Sequence, residues 1–257
     1  LSAFIRVDPR QEKGFSMRVI RAFVDAPLAA GARVALPGDA AGHLIRVLRL
    51  DVGDDCVLFN GDGCDYAARI ASISKKSVEA DIESAREVRN ESPLRVMLVQ
   101  GIARGEKMDW ILQKATELGV AAVVPVHGER GEVRLDGERA EKRLRHWRSV
   151  VVSACEQSGR ARIPDVAAPR ALADALADLP ATRLLLDPGS SQPLPSKIAD
   201  DACAIAIGPE GGWSPSDIAT LEAVGFLGAR LGPRVLRTET AGIAAIAALQ
   251  TLAGDFA

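Results

Sequence analysis

The sequence predicts an α/β protein with a mostly parallel sheet in its C-terminal part, preceded by a small β-rich domain. Three observations predict it. Beyond residue 93, segments of helical spacing alternate with short runs that are apolar on both faces, such as 182–187 and 202–207, a pattern suited to a parallel sheet covered by helices. Before residue 87, the segments are short, alternating or β-branched, and separated by turn residues. Between the two patterns lies a polar stretch ending in Pro93, read as a linker over 87–93. A chain of 257 residues holds one large domain or two modest ones.

The elements follow in order. Residues 1–16 lack periodicity and the apolar core of a signal peptide, so they read as a leader outside the fold. The first domain then spans 17–86. Residues 19–24 are strand-like, and 41–50 form a short helix after the Pro37-Gly38 turn. On that helix His43, Arg46 and Arg49 recur every three residues and are expected to share one face, with Leu44, Val47 and Leu48 packed inward. Strands are expected at 56–60, 65–73 and 77–82, the first two linked by Gly61-Asp62-Gly63.

The second domain spans 94–257. It opens with a strand at 94–100 and a helix at 106–118, where Met108, Ile111, Leu112, Ala115 and Leu118 keep helical spacing and Gly119 is the stop signal. A strand at 120–126 precedes a long helix at 138–158, which has Leu144, Trp147, Val151 and Ala154 on one face. A shorter helix is expected at 171–179, then strands at 182–187 and 202–207. Ser214-Pro215-Ser216-Asp217 combines an N-cap serine, a proline at the first helical position and an acid two residues later, so a helix should start there. A short strand is expected at 229–231. The last helix, 240–252, is apolar almost all round and should be buried in the core or in a subunit interface.

Composition narrows the function. A net charge of −2 argues against wholesale coating of nucleic acid, yet Arg18, Arg21, Arg33, Arg46 and Arg49 face only Asp25 and Asp39 between residues 17 and 50, so a local basic surface is available. No apolar run reaches the roughly 20 residues needed to cross a bilayer. Cys56, Cys64, Cys155 and Cys203 lack metal-ligand spacing, no metal is expected, and a reduced cytoplasmic setting fits. There is no G-x-G-x-x-G after a strand, no phosphate-binding GxxxxGK[ST] and no HExxH. His43, His127 and His146 are isolated, and Cys155 falls on the apolar side of its helix, where packing explains it.

Two loops stand out. Residues 207–213 (IGPEGGW) follow a buried strand and precede a well-capped helix. In α/β sheets such loops lie at the carboxyl ends of strands, where ligands bind, and glycines let backbone N–H groups approach a ligand closely. Residues 231–241 (LGPRVLRTETA) again join a strand to a helix. Arg234 and Arg237 sit near that helix's N-terminus, where the dipole disfavours cations, so an anionic partner accounts for them; pairing with Glu239 is the alternative.

These loops resemble the signature loops of the RsmE family, the 16S ribosomal RNA uridine-N3 methyltransferases. The segments at 107–120, 153–160 and 21–63 resemble the same family, so the likeness covers 17–257 in order. It departs at Trp213, where phenylalanine is commoner, and at 1–16, which match nothing. The resemblance implies a PUA-like RNA-binding barrel, then a SPOUT domain whose chain end is threaded into a deep trefoil knot. It also implies a homodimer, 16S ribosomal RNA in the small subunit as partner, and S-adenosylmethionine as methyl donor. The donor would lie among loops 185–189, 207–212 and 231–238, held by Leu185, Leu186, Asp187, Gly208, Pro209, Glu210, Gly211, Gly212, Leu231, Gly232, Leu236, Arg237 and Thr238.

Transfer of a methyl group to uridine N3 needs positioning, removal of the N3 proton and a partner for the developing anion. Arg237 is expected to stabilise the uracil, with Glu210 as base or positioning group and Glu239 as the alternative base. RNA contacts are expected from Arg21, Arg46 and Arg49 in the first domain and from Arg104, Lys107 and Lys114 in the second. Gln157 and Arg160, at the end of the long helix, are candidates for the pocket mouth.

Overall fold

A computed structural model describes residues 20–74, 77–195, 198 and 200–256. The expected leader at 1–16, and Met17, Arg18 and Val19, lie outside the described residues. The chain divides into two compact units, one holding the described residues up to Leu58 with Tyr66–Ala85, the other Phe59–Asp65 and the chain from Arg86 onward.

The first unit is built on a five-stranded sheet. Its strands are β1 (Arg21–Phe23), β2 (Arg33–Ala35), β3 (Asp55–Phe59), β4 (Cys64–Ile73) and β5 (Val78–Glu87), in the order β1-β3-β4-β5-β2. β3 pairs antiparallel with β4, and β2 antiparallel with β5. Alternation along β5 buries Val78, Ala80 and Ile82 beside Ala68 and Ile70 of β4. β2 escaped the sequence reading because it has three residues and an exposed-intermediate-exposed pattern; its edge is held by Arg33, whose guanidinium meets Asp81 at 2.6 and 2.8 Å.

The helix expected at 41–50 takes another form. A short α-helix, α1 (Gly38–Gly42), runs into a π-helical turn at His43–Val47, and Arg49 adopts a left-handed conformation with φ 59°. Wider turns and a left-handed residue destroy three-residue spacing, so His43, Arg46 and Arg49 do not form the regular stripe expected. Leu44 is buried as expected, but Val47 is 65% exposed.

The second unit carries a seven-stranded sheet. Its elements are β6 (Arg95–Gly101), α2 (Glu106–Glu117), β7 (Val120–His127), α3 (Gly137–Ser158), β8 (Asp165–Val166), β9 (Arg170–Ala171), β10 (Thr182–Leu186), β11 (Ala202–Ile207), α4 (Pro215–Ala223), β12 (Leu227–Ala229) and α5 (Thr238–Ala253). The strand order is β12-β10-β11-β6-β7-β8, with β9 also on β7, and the pairings are parallel. β11 is buried on both faces from Cys203 to Ile207. On one side Val99, Ala204, Ala206 and Leu185 pack with Trp213, Leu221 and Phe226. On the other, α5 lies along β11 and β6 and also packs on α2, which packs on α3. α5 buries Gly242, Ala245, Ile246 and Leu249, as its composition predicted.

Two expectations fail. The helix at 171–179 is reduced to one 3₁₀ turn at Leu172–Ala175. Arg170 and Ala171 are taken up by pairing with β7, and Asp178 is left-handed at φ 54°, leaving too few residues for a stable helix. The strand expected at 229–231 lies two residues earlier, because Leu227, Gly228 and Ala229 register against Leu184, Leu185 and Leu186.

Arg160 is corrected as well. It is 5% exposed, not at a pocket mouth. Its guanidinium meets the Glu91 carboxylate at 3.0 and 2.5 Å and donates to the carbonyls of Thr116 and Val120 at 2.9 and 3.0 Å. From the end of α3 it ties together the segment before β6, the end of α2 and the start of β7. Replacing Arg160 with methionine leaves these acceptors without their donor, so urea unfolding should show a loss of about 2–4 kcal/mol.

Candidate functional site

The strand order reverses between β6 and β11. From β6 the chain proceeds outward through β7 and β8, while β11 and β10 fill the other side. Such a switch point leaves a crevice at the carboxyl ends of the strands. A cleft of about 680 Å³ opens there, walled by the ends of β10, β11 and β12 and by the start of α5.

Close backbone packing shapes it. A Cβ on Gly101, at the end of β6, would stand 2.5 Å from the nitrogen and Cδ of Pro209, so glycine is required where β6 meets the loop after β11. Gly212 is left-handed at φ 68° and its N–H donates to the Pro209 carbonyl at 2.8 Å, turning the loop back on itself. The loop then enters α4 through a capping box: the Ser214 hydroxyl accepts from the Asp217 N–H, and the Asp217 carboxylate from the Ser214 N–H.

A buried polar chain fixes α5 to this loop. Gln100, fully buried, donates from Nε2 to the Thr238 hydroxyl at 3.0 Å, and that hydroxyl donates to the Gly208 carbonyl at 2.5 Å. The last strand residues of β6, the first turn of α5 and the glycine loop are thus one bonded unit.

The charged groups follow from this frame. Glu210 Oε1 accepts from the Arg104 N–H at 3.1 Å and from Lys107 Nζ at 3.2 Å. Lys107 Nζ also lies 3.8 Å from Glu239 Oε2. Partial burial pushes the Glu210 carboxyl up, but the N–H groups of Arg104 and of Glu210 itself, with the Lys107 ammonium, outweigh it and hold the group below its ordinary 4.5. Glu210 is therefore held in its ionised form. Glu239 is 9% exposed, and its Oε2 has no hydrogen-bond partner.

Most of the expected donor-binding residues line this cleft: Leu186, Asp187, Gly208, Pro209, Glu210, Gly211, Gly212, Leu231, Leu236, Arg237 and Thr238, joined by Glu239. Leu185 does not. Alternation along β10 turns its side chain into the core, 1% exposed. Gly232 forms a left-handed turn outside the lining. Of the expected RNA contacts, Lys107 lines the cleft. The Arg104 guanidinium pairs with Glu132, and Lys114 closes on Glu117 at 2.8 Å. Gln157 is exposed on α3, and Arg21, Arg46 and Arg49 belong to the first unit.

The sequence reading missed Arg130, Arg230 and Ile218 as lining residues, and Gln100 beneath them. Arg130 sits in the loop after β7, its guanidinium donating to the Trp213 carbonyl at 3.2 Å. The glycines at 128 and 131 around it were a usable signal. So was Gln100, a polar residue closing an apolar strand.

A family model described as an RNA methyltransferase domain matches residues 90–250, and one described as an RNA methyltransferase PUA domain matches 36–83. The chain belongs to this RNA methyltransferase family. Ribosomal RNA small subunit methyltransferase E of Buchnera aphidicola subsp. Schizaphis graminum is 32% identical to it, covering 93% of the chain and 98% of the relative. Two solved structures are also similar: a methyltransferase from Legionella pneumophila in complex with bound S-adenosylmethionine (39% identity, TM-score 0.87) and ribosomal RNA small subunit methyltransferase E from Neisseria gonorrhoeae bound to S-adenosylmethionine (40% identity, TM-score 0.86). Each covers 93% of the chain and is itself covered in full. In this methyltransferase no helix among the described residues is long and apolar enough to cross a membrane, and no cluster of potential metal ligands occurs among them.

The depressed Glu210 carboxyl has a measurable consequence. A group whose folded-state value lies below its unfolded value adds stability at neutral pH and loses it as pH falls through the depressed value. In urea titrations against pH, the stability difference between wild type and Glu210→Gln should therefore shrink on acidification below 4.5.

Proposed function

We propose that this protein methylates N3 of a uridine in 16S ribosomal RNA of the small subunit, with S-adenosylmethionine as donor. The observation that carries the reading is the cleft itself. The two loops that resemble the uridine-N3 methyltransferases, 207–213 and 231–241, come together at the strand ends around one cavity. Its residues suit the donor. Its volume falls within the range of small-molecule sites, Leu186, Ile207 and Leu236 offer apolar surface, and Glu210 and Glu239 offer negative charge to a cation. When bound, S-adenosylmethionine supplies a methyl group activated by a positively charged sulfur.

The chain's own residues then divide the work. Glu210, ionised and held by its donors, is a positioning anion. Glu239, which lines the cleft beside Lys107, is the proton acceptor for uracil N3. Arg237, the exposed N-cap of α5, is placed to contact the uracil or its flanking phosphate. The target base must be turned out of any stack to reach the cleft.

The reading extends to the rest of the molecule. The first unit is a PUA-like barrel that grips RNA through Arg21, Arg46 and Arg49. The chain end is threaded as a deep trefoil knot of the SPOUT type, a reading supported by α5 lying under β6 and β11 and bonding to the loop after β11. The enzyme works as a cytoplasmic homodimer, in keeping with free Cys56, Cys64, Cys155 and Cys203.

Small subunits lacking the modification, incubated with protein and donor and digested to nucleosides, should yield N3-methyluridine by mass spectrometry. Arg237→Ala should lower that yield about 10²-fold or more. A 2′-O-methyl product would overturn the target. The donor site has a separate check: Gly101→Ala pushes a methyl group into Pro209, and calorimetry should show donor affinity weakened about tenfold or more.

A further inference from the structure

The two lysines of α2 that invite a phosphate-binding reading are in different situations. Lys114 closes on Glu117 of its own helix at 2.8 and 2.9 Å. Lys107, seven positions earlier, turns into the cleft at the strand ends, between Glu210 and Glu239. We propose that Lys107 is a catalytic residue, whose ammonium donates to a carbonyl oxygen of the uracil and stabilises the anion formed as the N3 proton leaves. The proposal rests on the uridine-N3 reading and deepens it.

Three observations support it. An ammonium has three N–H donors and no acceptor. Glu210 Oε1, at 3.2 Å, takes one of them, and the more distant Glu239 Oε2, at 3.8 Å, adds a second negative charge behind it, while 35% of the side chain stays exposed on the cleft. The cation is therefore held in place before any substrate arrives, which is the arrangement that makes a charge effective in a transition state. Second, the ammonium is already engaged by two carboxylates, whereas Arg230, Arg234 and Arg237 also line the cleft and are the cations open to a phosphate. A neutral uracil, which becomes anionic only during the reaction, suits a cation so engaged. Third, Arg237, another of the cations lining the cleft, makes no side-chain bond among the described residues and is exposed at the helix N-cap. Lys107 is the better-fixed of the two.

The step balances as follows. Uracil N3 gives its proton to the Glu239 carboxylate, and its electron pair forms the bond to the methyl carbon as the carbon–sulfur bond breaks, with that pair remaining on sulfur. Negative charge developing at N3 spreads onto the flanking carbonyl oxygens, where the ammonium binds it more strongly than it binds the neutral base. The charged groups facing Lys107 are Glu210 from the loop after β11 and Glu239 from α5, with the Arg104 N–H also on Glu210.

The test uses the full chain with small subunits lacking the modification, and compares wild type, Lys107→Ala and Lys107→Arg. Lys107→Ala should lose about 10²–10³-fold in kcat, with KM for the subunits little changed. The slope of log affinity for RNA against log salt should also stay as in wild type. Added ethylammonium should restore part of the lost rate, and Lys107→Arg should keep more activity than alanine. A slope reduced by about one phosphate, with kcat intact, makes Lys107 a phosphate contact and overturns the proposal. If alanine weakens the fold in thermal melts, the arginine variant and amine rescue decide: no rescue, with arginine as inactive as alanine, also overturns it. Absence of N3-methyluridine with wild type would overturn the uridine reading and this proposal together, whereas full kcat in Lys107→Ala beside an active wild type overturns this proposal alone.

Discussion

The cleft depends on one buried hydrogen-bonded chain, Gln100 to Thr238 to Gly208. Each residue belongs to a different part of the polypeptide: the end of β6, the first turn of α5 and the loop after β11. Without that link the glycine loop would lose its tie to β6 and α5. Because Gln100 is fully buried and Thr238 nearly so, the link is strong and its loss costly. Three charged groups of the cleft are positioned from it. Glu239 follows Thr238 directly, Glu210 is two residues past Gly208, and Lys107 meets both.

The same link explains why glycines cluster where they do. Gly101 and Gly208 are not there for flexibility; neighbouring backbone occupies the space a side chain would need. Backbone brought this close presents its N–H and carbonyl groups to the cavity instead of side chains. The capping box at Ser214 and Asp217 then fixes the far end of the loop, and Asp217 also accepts from the Glu129 N–H of the loop after β7. The wall is therefore braced at three points, and a ligand meets a preformed surface.

Legibility in the sequence followed the range of the forces involved. The start of α4 was visible at Ser214-Pro215 because capping chemistry is local, and β11 was visible because six residues apolar on both faces have few other fates. The two cleft loops stood out for the same reason. What failed was decided by partners distant in sequence. The segment 171–179 has helical composition, but its first residue pairs with β7, so propensity was overruled by sheet registry. Arg160 looked like a surface cation at a helix end, and only the fold reveals that Glu91 and two carbonyls surround it. The stripe of His43, Arg46 and Arg49 assumed α-helical turns, and a π turn is not encoded by any short pattern in that segment. Leu185 was misplaced for a simpler reason: on a strand, the neighbour of a cleft residue points the other way.

Glu210 and Glu239 show how a single frame gives like residues unlike surroundings. Glu210 lies on the loop after β11, where its own N–H, the Arg104 N–H and the Lys107 ammonium hold its carboxylate. Glu239 lies on the first turn of a helix, where the dipole favours its charge but no donor reaches Oε2. The first carboxylate is tied by hydrogen bonds, and the second lies 3.8 Å from the Lys107 ammonium. Lys107 is shared between them, so it is drawn toward both anions without being neutralised by either. The order of Lys107, Glu210 and Glu239 around the cavity follows from which backbone segments the Gln100–Thr238–Gly208 chain brings together.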